Sequence, residues 1–394
     1  MDDATLPVLR GPGAGDLFQL LRDRQARTRA DLALLTGQAR STVASRVDQL
    51  MASGLIVPVG EASSTGGRPA LRFAFNPAAR KLLAIDLGAT HARLAVTDLD
   101  ATVLAEREGS IDIVDGPDVV LPYLVELAQQ LTHSLDAPPG DLVAAGIGLP
   151  APVEQATGRL MMPPIMPGWD GVDVAGPLCE ALGVPVVVDN DVNLMALGEH
   201  TRAWPETSHL LFVKVATGIG SGIISAGQLS RGAQGAAGDI GHIAVPGSQT
   251  PCHCGNIGCL EVNASGRALA RRLSALGYPA HDSADVVALV RGGNLEANQV
   301  VRQAGREIGG VLAACVSLLN PSLIVIGGAL SLAGEHLVAG IREAVYSRSL
   351  PLAAQHLRIA TSRTGSQAGI FGASALAAAQ VLSVEAVDRL IRAG

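Results

Sequence analysis

Three of the five cysteines in this chain of 394 residues fall within eight positions, in the segment GHIAVPGSQTPCHCGNIGCLE that spans residues 241–261. Clustered reduced thiols are typical of a metal site, and zinc prefers four tetrahedral thiolate and imidazole ligands. Cys252, Cys254 and Cys259 supply three, and His242 or His253 must supply the fourth. His253 lies between two proposed ligands and is expected to point away from a shared metal, which favours His242 without deciding the choice. A closed set of four protein ligands predicts a structural zinc ion that shapes a loop.

A second group of polar residues follows a buried strand pattern, in PVVVDNDVNLMALGE. Carboxylates at the carboxyl end of a strand lie where α/β folds bind ligands. Phosphoryl transfer to a hydroxyl needs one carboxylate to accept the proton, a role that suits Asp191, with Asn190 orienting the acceptor. A helix is predicted to begin at Asn193. The alternative, a side chain that only caps this helix, is favoured for Asp189 and not for Asp191.

Glycine turns follow three strand patterns in the same part of the chain. KLLAIDLGATHARLAVTDLDATVLAE and HLLFVKVATGIGSGIISAGQLSRG share one shape, with Gly88 and Gly218 at matching places, and SLIVIGGALS adds a third turn. Glycine lets backbone N–H groups approach phosphate oxygens closely, so a duplicated α/β body clamping a nucleotide is predicted. Asp86 is a candidate Mg²⁺ ligand, and Ser221 offers a further hydroxyl. The predicted nucleotide-binding residues are Asp86, Gly88, Thr90, Thr217, Gly218, Gly220, Gly327 and Gly328.

The first eighty residues have a different organisation. Helical spacing runs from Asp16, then from Thr28, a predicted N-cap, to Gly37, and then over ARSTVASRVDQLMASG to Gly54. Two strand patterns, LIVPVG and ALRFAFN, flank the loop EASSTGGRP. Three short helices followed by a hairpin are typical of a winged helix-turn-helix.

The third of these helices is the predicted recognition helix. Its apolar residues share one face, which leaves short hydroxyls and arginines for base edges or phosphates. The alternative is an ordinary three-helix bundle with a solvated face. The predicted DNA-binding residues are Gln38, Arg40, Ser41, Thr42, Ser45 and Arg46, with Gln49 on the same face and Arg68 in the wing.

Composition and charge agree with two such parts. The chain is 48% hydrophobic with 46 glycines and only 3% aromatic residues, which suits an α/β protein of two or three domains and excludes a disordered or RNA-stacking protein. Residues 1–80 carry ten arginines and seven acids, a net charge of +3. Because the whole chain has a net charge of −7, the remaining residues carry −10. A basic head on an acidic body is compatible with DNA binding.

The expected location is the cytoplasm. The N-terminal residues show no basic segment followed by an apolar run and a cleavage site, and no run of eighteen apolar residues follows. We therefore expect no membrane role, and thiols that stay reduced. Cys179 and Cys315 lie in apolar helical contexts and are expected to be buried.

Taken together, IDLGAT, GLPAPV, VDNDVN, ATGIGSGI, GAAGDIGH, CHCGNIGCLE and IVIGG resemble the motifs of the ROK family (repressors, uncharacterised reading frames and sugar kinases), in the family order over almost the whole chain. The resemblance implies a two-lobed actin-like ATPase fold, a duplicated ribonuclease H-like unit, in homodimers or tetramers. It implies zinc bound by His242, Cys252, Cys254 and Cys259. It also implies that sugar is held by Asn190, Asp191, Asp239, His242 and Glu261, with Asp191 as the catalytic base in kinase members.

Zinc on one nitrogen of His242 would fix the ring so that the other nitrogen meets a sugar hydroxyl. Three positions depart from the family pattern. Ala89 replaces the second glycine of Gly-Gly-Thr, Asp239 replaces a glutamate, and Ala151 replaces the glycine of Pro-Gly.

The sequence thus predicts an α/β protein with a winged helix-turn-helix over residues 1–76 and a two-lobed ROK domain over 77–394, with a zinc-binding loop at 242–259. The predicted function is a sugar-responsive DNA-binding transcriptional regulator, a repressor, with double-stranded operator DNA and a sugar or sugar phosphate as partners. The alternative is an ATP-dependent sugar kinase. The predicted cofactors are structural Zn²⁺, with Mg²⁺ and ATP for the kinase alternative.

Overall fold

The computed structural model describes residues 13–61, 69–134, 141–163 and 165–393, so the predicted DNA contact Arg68 lies outside the described residues. The N-terminal elements are α1 (Ala14–Leu21), β1 (Arg27–Thr28), α2 (Arg29–Thr36), α3 (Arg40–Ala52), β2 (Ile56–Glu61) and β3 (Leu71–Phe75). The three strands form an antiparallel sheet in the order β1-β3-β2.

Local signals set the bounds of α2. The hydroxyl of Thr28 accepts from the backbone N–H of Asp31 at 3.1 Å, and the carboxylate of Asp31 accepts from the N–H of Thr28 at 2.8 Å, which is a capping box. Gly37 ends the helix with a left-handed φ of +67°. The helix-turn-helix and hairpin elements predicted from the sequence are therefore present.

The body contains two five-stranded sheets with matching strand orders, β6-β5-β4-β7-β8 and β11-β10-β9-β12-β13. The elements of the first lobe are β4 (Lys81–Leu87), β5 (His91–Asp98), β6 (Val103–Ser110), α4 (Pro117–His133), β7 (Leu142–Leu149), α5 (Ala175–Leu182) and β8 (Val186–Asn190). Then come α6 (Asp191–Ala203), β9 (Leu210–Val215), β10 (Ile219–Ser225), β11 (Gln228–Ser230), α7 (Leu260–Ala264), α8 (Gly266–Ala275), α9 (Ser283–Arg291), α10 (Leu295–Leu319), β12 (Leu323–Gly327), α11 (Glu335–Arg348), α12 (Pro351–Ala354), β13 (Arg358–Thr361), α13 (Ala368–Val381) and α14 (Val384–Ala393). In each lobe an antiparallel meander of three strands is extended by two parallel strands, which confirms the predicted duplicated α/β body.

Helices α6 and α13 cross between the lobes. Helix α6 leaves β8 of the first lobe and packs on the second sheet, whereas α13 follows β13 of the second lobe and packs on β4 and β7 of the first. The two helices approach closely through glycines: a Cβ atom at Gly372 would lie 1.8 Å from the carbonyl oxygen of Leu194, and one at Gly198 would lie 2.1 Å from that of Ala368. The crossing pair therefore ties the two lobes together.

The core of the N-terminal part is continuous with the first lobe. Phe18, Val47 and Phe73 belong to one buried cluster with Ala377 of α13 and Val387 of α14. The N–H of Gly15 also donates to the carboxylate of Asp388 at 2.8 Å. Packed side chains and a hydrogen bond therefore cross the predicted domain boundary after residue 76.

Two local expectations were wrong. Helix α6 begins at Asp191, not at Asn193, because the Asn190 side chain caps it. Cys315 is buried as expected, but Cys179 is exposed, since it lies on the outer face of α5. In the described parts of the chain no single helix is long and apolar enough to cross a membrane, and one bent pair, residues 365–381 with 384–393, meets the criteria of length and composition only.

Candidate metal centre and ligand cleft

The metal cluster predicted from the sequence comes together on the second lobe. One nitrogen of His242 and the sulfur atoms of Cys252, Cys254 and Cys259 all lie within 4.8 Å of one another. Cys252 Sγ lies 3.7 Å from His242 Nδ1, and Cys254 Sγ lies 3.6 Å from Cys259 Sγ. A tetrahedral ion with ligands at about 2.3 Å separates them by about 3.8 Å, so the cluster fits a metal ion such as zinc. His253 is exposed and is not part of the cluster.

The thiols of this cluster differ in acidity. The backbone N–H of Asn256 lowers the pKa of Cys254 to about 7. Burial raises the pKa of Cys259 to about 12. Three thiolates in contact repel one another, so a cation is what allows them to coexist. The donor set, like the distances, therefore suits a metal ion.

The second nitrogen of His242 faces away from the thiols. Its Nε2 lies 4.0 Å from a carboxylate oxygen of Asp239, whose side chain is exposed. Glu261 lies at the start of α7, immediately after the cysteine loop, and accepts from the N–H of Ile219 at 3.1 Å. The loop thus presents one imidazole nitrogen and one carboxylate from adjacent positions.

Asp191, the predicted base, forms an ion pair that sequence reasoning missed. Lys214 Nζ donates to Asp191 Oδ2 at 2.5 Å, and the Asp191 side chain is only 4% exposed. Lys214 is near the end of β9, with its backbone between the buried residues Val213 and Val215. The only signal in the sequence was a single lysine in an apolar strand, LLFVKV.

Asp189 and Asn190 have structural contacts of their own. Asp189 is buried and accepts from Arg231 Nε at 2.6 Å and from Asn193 Nδ2 at 2.9 Å. Asn190 Oδ1 accepts from the N–H of Val192 at 2.9 Å, and its amide donates to the carbonyl of Ala151 at 3.1 Å. The side chain that caps helix α6 is therefore Asn190 and not Asp189.

The glycine turns are largely occupied by contacts within the protein. The N–H of Gly88 donates to the carbonyl of His91 at 2.8 Å, and the His91 ring lies against Gly88. A Cβ at Gly218 would lie 2.4 Å from Glu261, and one at Gly220 would lie 3.1 Å from Val192.

The remaining residues of the predicted nucleotide site differ in exposure. Gly327 packs against Phe212, and Gly328 has a left-handed φ of +81° beside Val215. Thr90 and Thr217 are exposed, whereas the buried Ser221 donates its hydroxyl to Gly238.

Asp86 lies beside the first residues of α13. A Cβ at Gly369 would lie 2.5 Å from the Asp86 carboxyl group. Burial raises the pKa of Asp86, and the nearby Asp191 raises it further, while Lys214 opposes both effects. Asp86, Asp191 and Lys214 thus form one electrostatic group between the lobes.

The predicted DNA-binding residues lie at the start of α3 and on its outer face. Arg40, Ser41, Thr42, Ser45 and Gln49 are exposed, opposite the fully buried Val43, Val47 and Leu50. Gln38 and Arg46 are half-buried and are hydrogen-bonded to each other. The exposed set is continuous and polar, as a nucleic-acid contact requires.

Comparison with known proteins separates the two parts of the chain. A model described as the ROK family matches residues 82–380. The xylose repressor of Caldicellulosiruptor bescii is 27% identical over 381 residues, which cover 93% of this chain and 95% of that protein.

Solved structures give the same division. The crystal structure of a ROK family transcriptional regulator, described as a homologue of the E. coli MLC protein, superposes with a TM-score of 0.84 and 26% identity, covering 97% of this chain and 98% of that one. A ROK glucokinase from Streptomyces griseus in complex with glucose and AMPPNP matches with a TM-score of 0.67 and 26% identity, covering 75% of this chain and 99% of that one. The repressor and the regulator cover more than nine-tenths of this chain, and the kinase covers three-quarters of it.

Proposed function

Because the chain belongs to the ROK family, we propose that it is a sugar-responsive transcriptional repressor whose N-terminal part binds operator DNA. The observation that carries this proposal is the extent of the match: repressors and a regulator match more than nine-tenths of the chain, head included, whereas the kinase match covers three-quarters. A sugar kinase has no use for a helix-turn-helix. We also propose a cytoplasmic location, where a protein that binds operator DNA has access to it.

We propose that residues 1–76 form the DNA-binding domain and residues 77–394 the sensor. In the sensor, the metal is zinc, held by His242, Cys252, Cys254 and Cys259. The ion holds the Nδ1 side of the His242 ring, which leaves Nε2 for a sugar hydroxyl. Asn190, Asp191, Asp239 and Glu261 complete the sugar site. Zinc thus acts on sugar affinity through ring orientation and not through chemistry of its own.

The zinc role is tested with two histidine variants. His242→Gln should lose the metal and weaken sugar binding by about 10–100-fold. Losses of this size are typical when the groups that orient metal ligands are removed from metalloproteins. His253→Gln is the matched control, because His253 is exposed and outside the cluster, and should keep both. Metal content and sugar affinity are measured by elemental analysis and calorimetry. Full sugar affinity in a folded, zinc-free His242→Gln protein would contradict the proposed role.

The DNA-binding role is tested with the protein's own upstream intergenic DNA. We expect binding with a steep inverse dependence on salt, and weaker binding to unrelated DNA of the same length. Equal affinity for every sequence would defeat the repressor assignment. Addition of the effector sugar should change the affinity by about 5–150-fold, which corresponds to a coupling of about 1–3 kcal/mol.

We propose a homodimer, or a tetramer built from dimers, so that two heads meet a palindromic operator. Leu318 and Leu319, at the end of α10, are 84% and 40% exposed beside an apolar cavity of about 240 Å³ that is lined by Leu211, Ile223 and Cys315. Such exposed leucines favour contact with a second copy. Light scattering at several concentrations measures the assembly directly, and a monomer at all of them would reject it.

An ATP-dependent sugar kinase is the second candidate. The observation that favours it is that Asp86 and Asp191, the predicted magnesium ligand and the predicted base, are close enough to interact electrostatically. Release of ADP is followed with Mg-ATP and a panel of hexoses and amino sugars. Robust turnover that disappears in Asp191→Asn would make the sugar kinase the favoured function in place of the repressor.

A further inference from the structure

Lys214 is a basic side chain between the two lobes, and the proposed sugar sensor does not yet account for it. The chain has only two lysines, and the other, Lys81, pairs with Asp141 at 3.3 Å at the start of β4, away from the cleft. Lys214 Nζ lies 2.5 Å from Asp191 Oδ2, and the lysine side chain is 23% exposed. Its charge therefore lies at the proposed base.

Three carboxylates share this one ammonium group. Burial by itself would lower the pKa of Lys214, but the carboxylates of Asp191, Asp86 and Glu261 raise it above its ordinary value. The lysine therefore stays charged, and the carboxylates of Asp86 and Asp191 outnumber its single ammonium group. Lys214 thus compensates part of the negative charge of these acids without a metal ion.

A magnesium–nucleotide complex does not fit this set of residues. Magnesium is bound through carboxylate oxygens, and Lys214 already holds Asp191 and acts on Asp86. In two of the glycine turns the backbone donors are already used: the N–H of Gly88 donates to the carbonyl of His91, and the N–H of Ile219 donates to the carboxylate of Glu261.

We propose that Lys214 is a tethered cation that replaces the divalent metal of a kinase-type cleft and makes the site specific for an unphosphorylated sugar. The excess of carboxylates accepts hydrogen bonds from neutral sugar hydroxyls and repels a dianionic sugar phosphate. This inference rests on the proposed sugar-sensing function for its ligand, but its metal-binding part can be tested without any sugar.

The metal part is tested with Mn²⁺, a paramagnetic substitute for Mg²⁺, on the zinc-loaded full chain by electron paramagnetic resonance. Wild type should bind no Mn²⁺ in the cleft at millimolar concentration. Lys214→Met removes the charge and keeps the length of the side chain, and should bind Mn²⁺ at least about tenfold more tightly. Asp86→Asn in the Lys214→Met background should abolish the gain, and Lys81→Met, the matched control, should behave as wild type.

Two outcomes overturn the metal part. One is a folded Lys214→Met protein that binds no more Mn²⁺ than wild type. The other is Mn²⁺ binding by the wild-type protein that is lost in Asp86→Asn. This second outcome can be measured even if Lys214→Met fails to fold.

The ligand part is tested by thermal shift of wild type with pentoses, hexoses and amino sugars, each with its terminal phosphate ester, with and without added Mg²⁺. We expect stabilisation by one or more unphosphorylated sugars, equal with and without Mg²⁺. A phosphate ester that stabilises more than its parent sugar would overturn the specificity. If no sugar of either kind stabilises the protein, the sensing function fails, while the Mn²⁺ result still decides the role of Lys214.

Discussion

Asp189 and Asp191 are two positions apart, yet the fold gives them separate partners from the second lobe. Arg231 Nε lies 2.6 Å from Asp189, and Lys214 Nζ lies 2.5 Å from Asp191. Both carboxylates are almost fully buried, so each needs a cation or several donors to remain charged. The pair on Asp189 fixes the end of β8, and the pair on Asp191 lies at the proposed ligand site.

Removal of Arg231 should therefore cost stability. Arg231→Gln leaves the Asp189 carboxylate buried without its cation, and we expect the free energy of unfolding to fall by about 3 kcal/mol. Arg302→Gln is the control, because the Arg302–Glu343 pair is exposed and its loss should leave stability almost unchanged. Urea unfolding of both variants measures the difference, and equal values would show that the Asp189 contact is not structural.

Adding Asp189→Asn to Arg231→Gln provides a second check. It removes the unpaired charge and should recover part of the lost stability, since the remaining donors, Asn193 Nδ2 and the N–H of Asn190, can still bind a neutral oxygen.

Helices α6 and α13 connect the two lobes. Helix α13 begins beside Asp86 and ends in the core shared with the head, and it packs along α6, which begins at Asp191. Glycines at the crossing are required by the close approach of the two backbones, and larger residues would separate the helices.

A substitution in this crossing should destabilise the protein strongly. Gly372→Ala places a Cβ 1.8 Å from the carbonyl oxygen of Leu194, so the helices must move apart, and we expect a loss of about 3 kcal/mol. Gly310→Ala is the control within α10. Its new Cβ meets only the mobile end of Arg348, and the better helix propensity of alanine should stabilise the protein by up to about 1 kcal/mol. Thermal unfolding compares the two, and a tolerated Gly372→Ala would refute the tight crossing.

Helix α3 carries the prediction for DNA. Arg40 is exposed at the first position of the helix, so Arg40→Ala should weaken binding to all sequences and lower the salt slope by about one. Ser45, also exposed, lies one turn further along, and Ser45→Ala should instead change the preference between operator variants if it contacts a base edge. Electrophoretic or fluorescence titrations at several salt concentrations distinguish these effects, and an unchanged slope in Arg40→Ala would remove it from the interface.

At the scale of the whole molecule, the head is joined to the body by more than a linker. Asp388 of α14 accepts from the N–H of Gly15 at the start of α1, and Gln19 donates to the carbonyl of Leu382 at 2.7 Å. The ends of α13 and α14 thus connect the cleft to the DNA-binding part through packed side chains.

Asp388→Ala should loosen this connection. We expect sugar affinity to stay within about twofold of wild type, and the sugar-induced change in DNA affinity to shrink severalfold from its value of about 5–150-fold. Glu385→Ala on the exposed side of the same helix is the control and should keep the full response. DNA titrations with and without sugar measure both, and an undiminished response in Asp388→Ala would place the coupling elsewhere.

Features that depend on neighbouring residues can be predicted from the sequence. The cysteine spacing, the Thr28–Asp31 capping box, the glycine turns and the repeated strand patterns are local, because each is fixed by residue types within a few positions. The family motifs added the choice of His242, which agrees with the position of its Nδ1 beside the thiols.

Which distant charges meet depends on how the whole chain folds. Lys214 is 23 positions from Asp191, and Arg231 is 42 positions from Asp189. Asp388 is 373 positions from Gly15. No local pattern encodes such pairs, because they arise only when the two lobes and the head pack together. The sequence could therefore predict a metal loop and a base, whereas only the folded chain shows that the predicted base is already paired with a lysine.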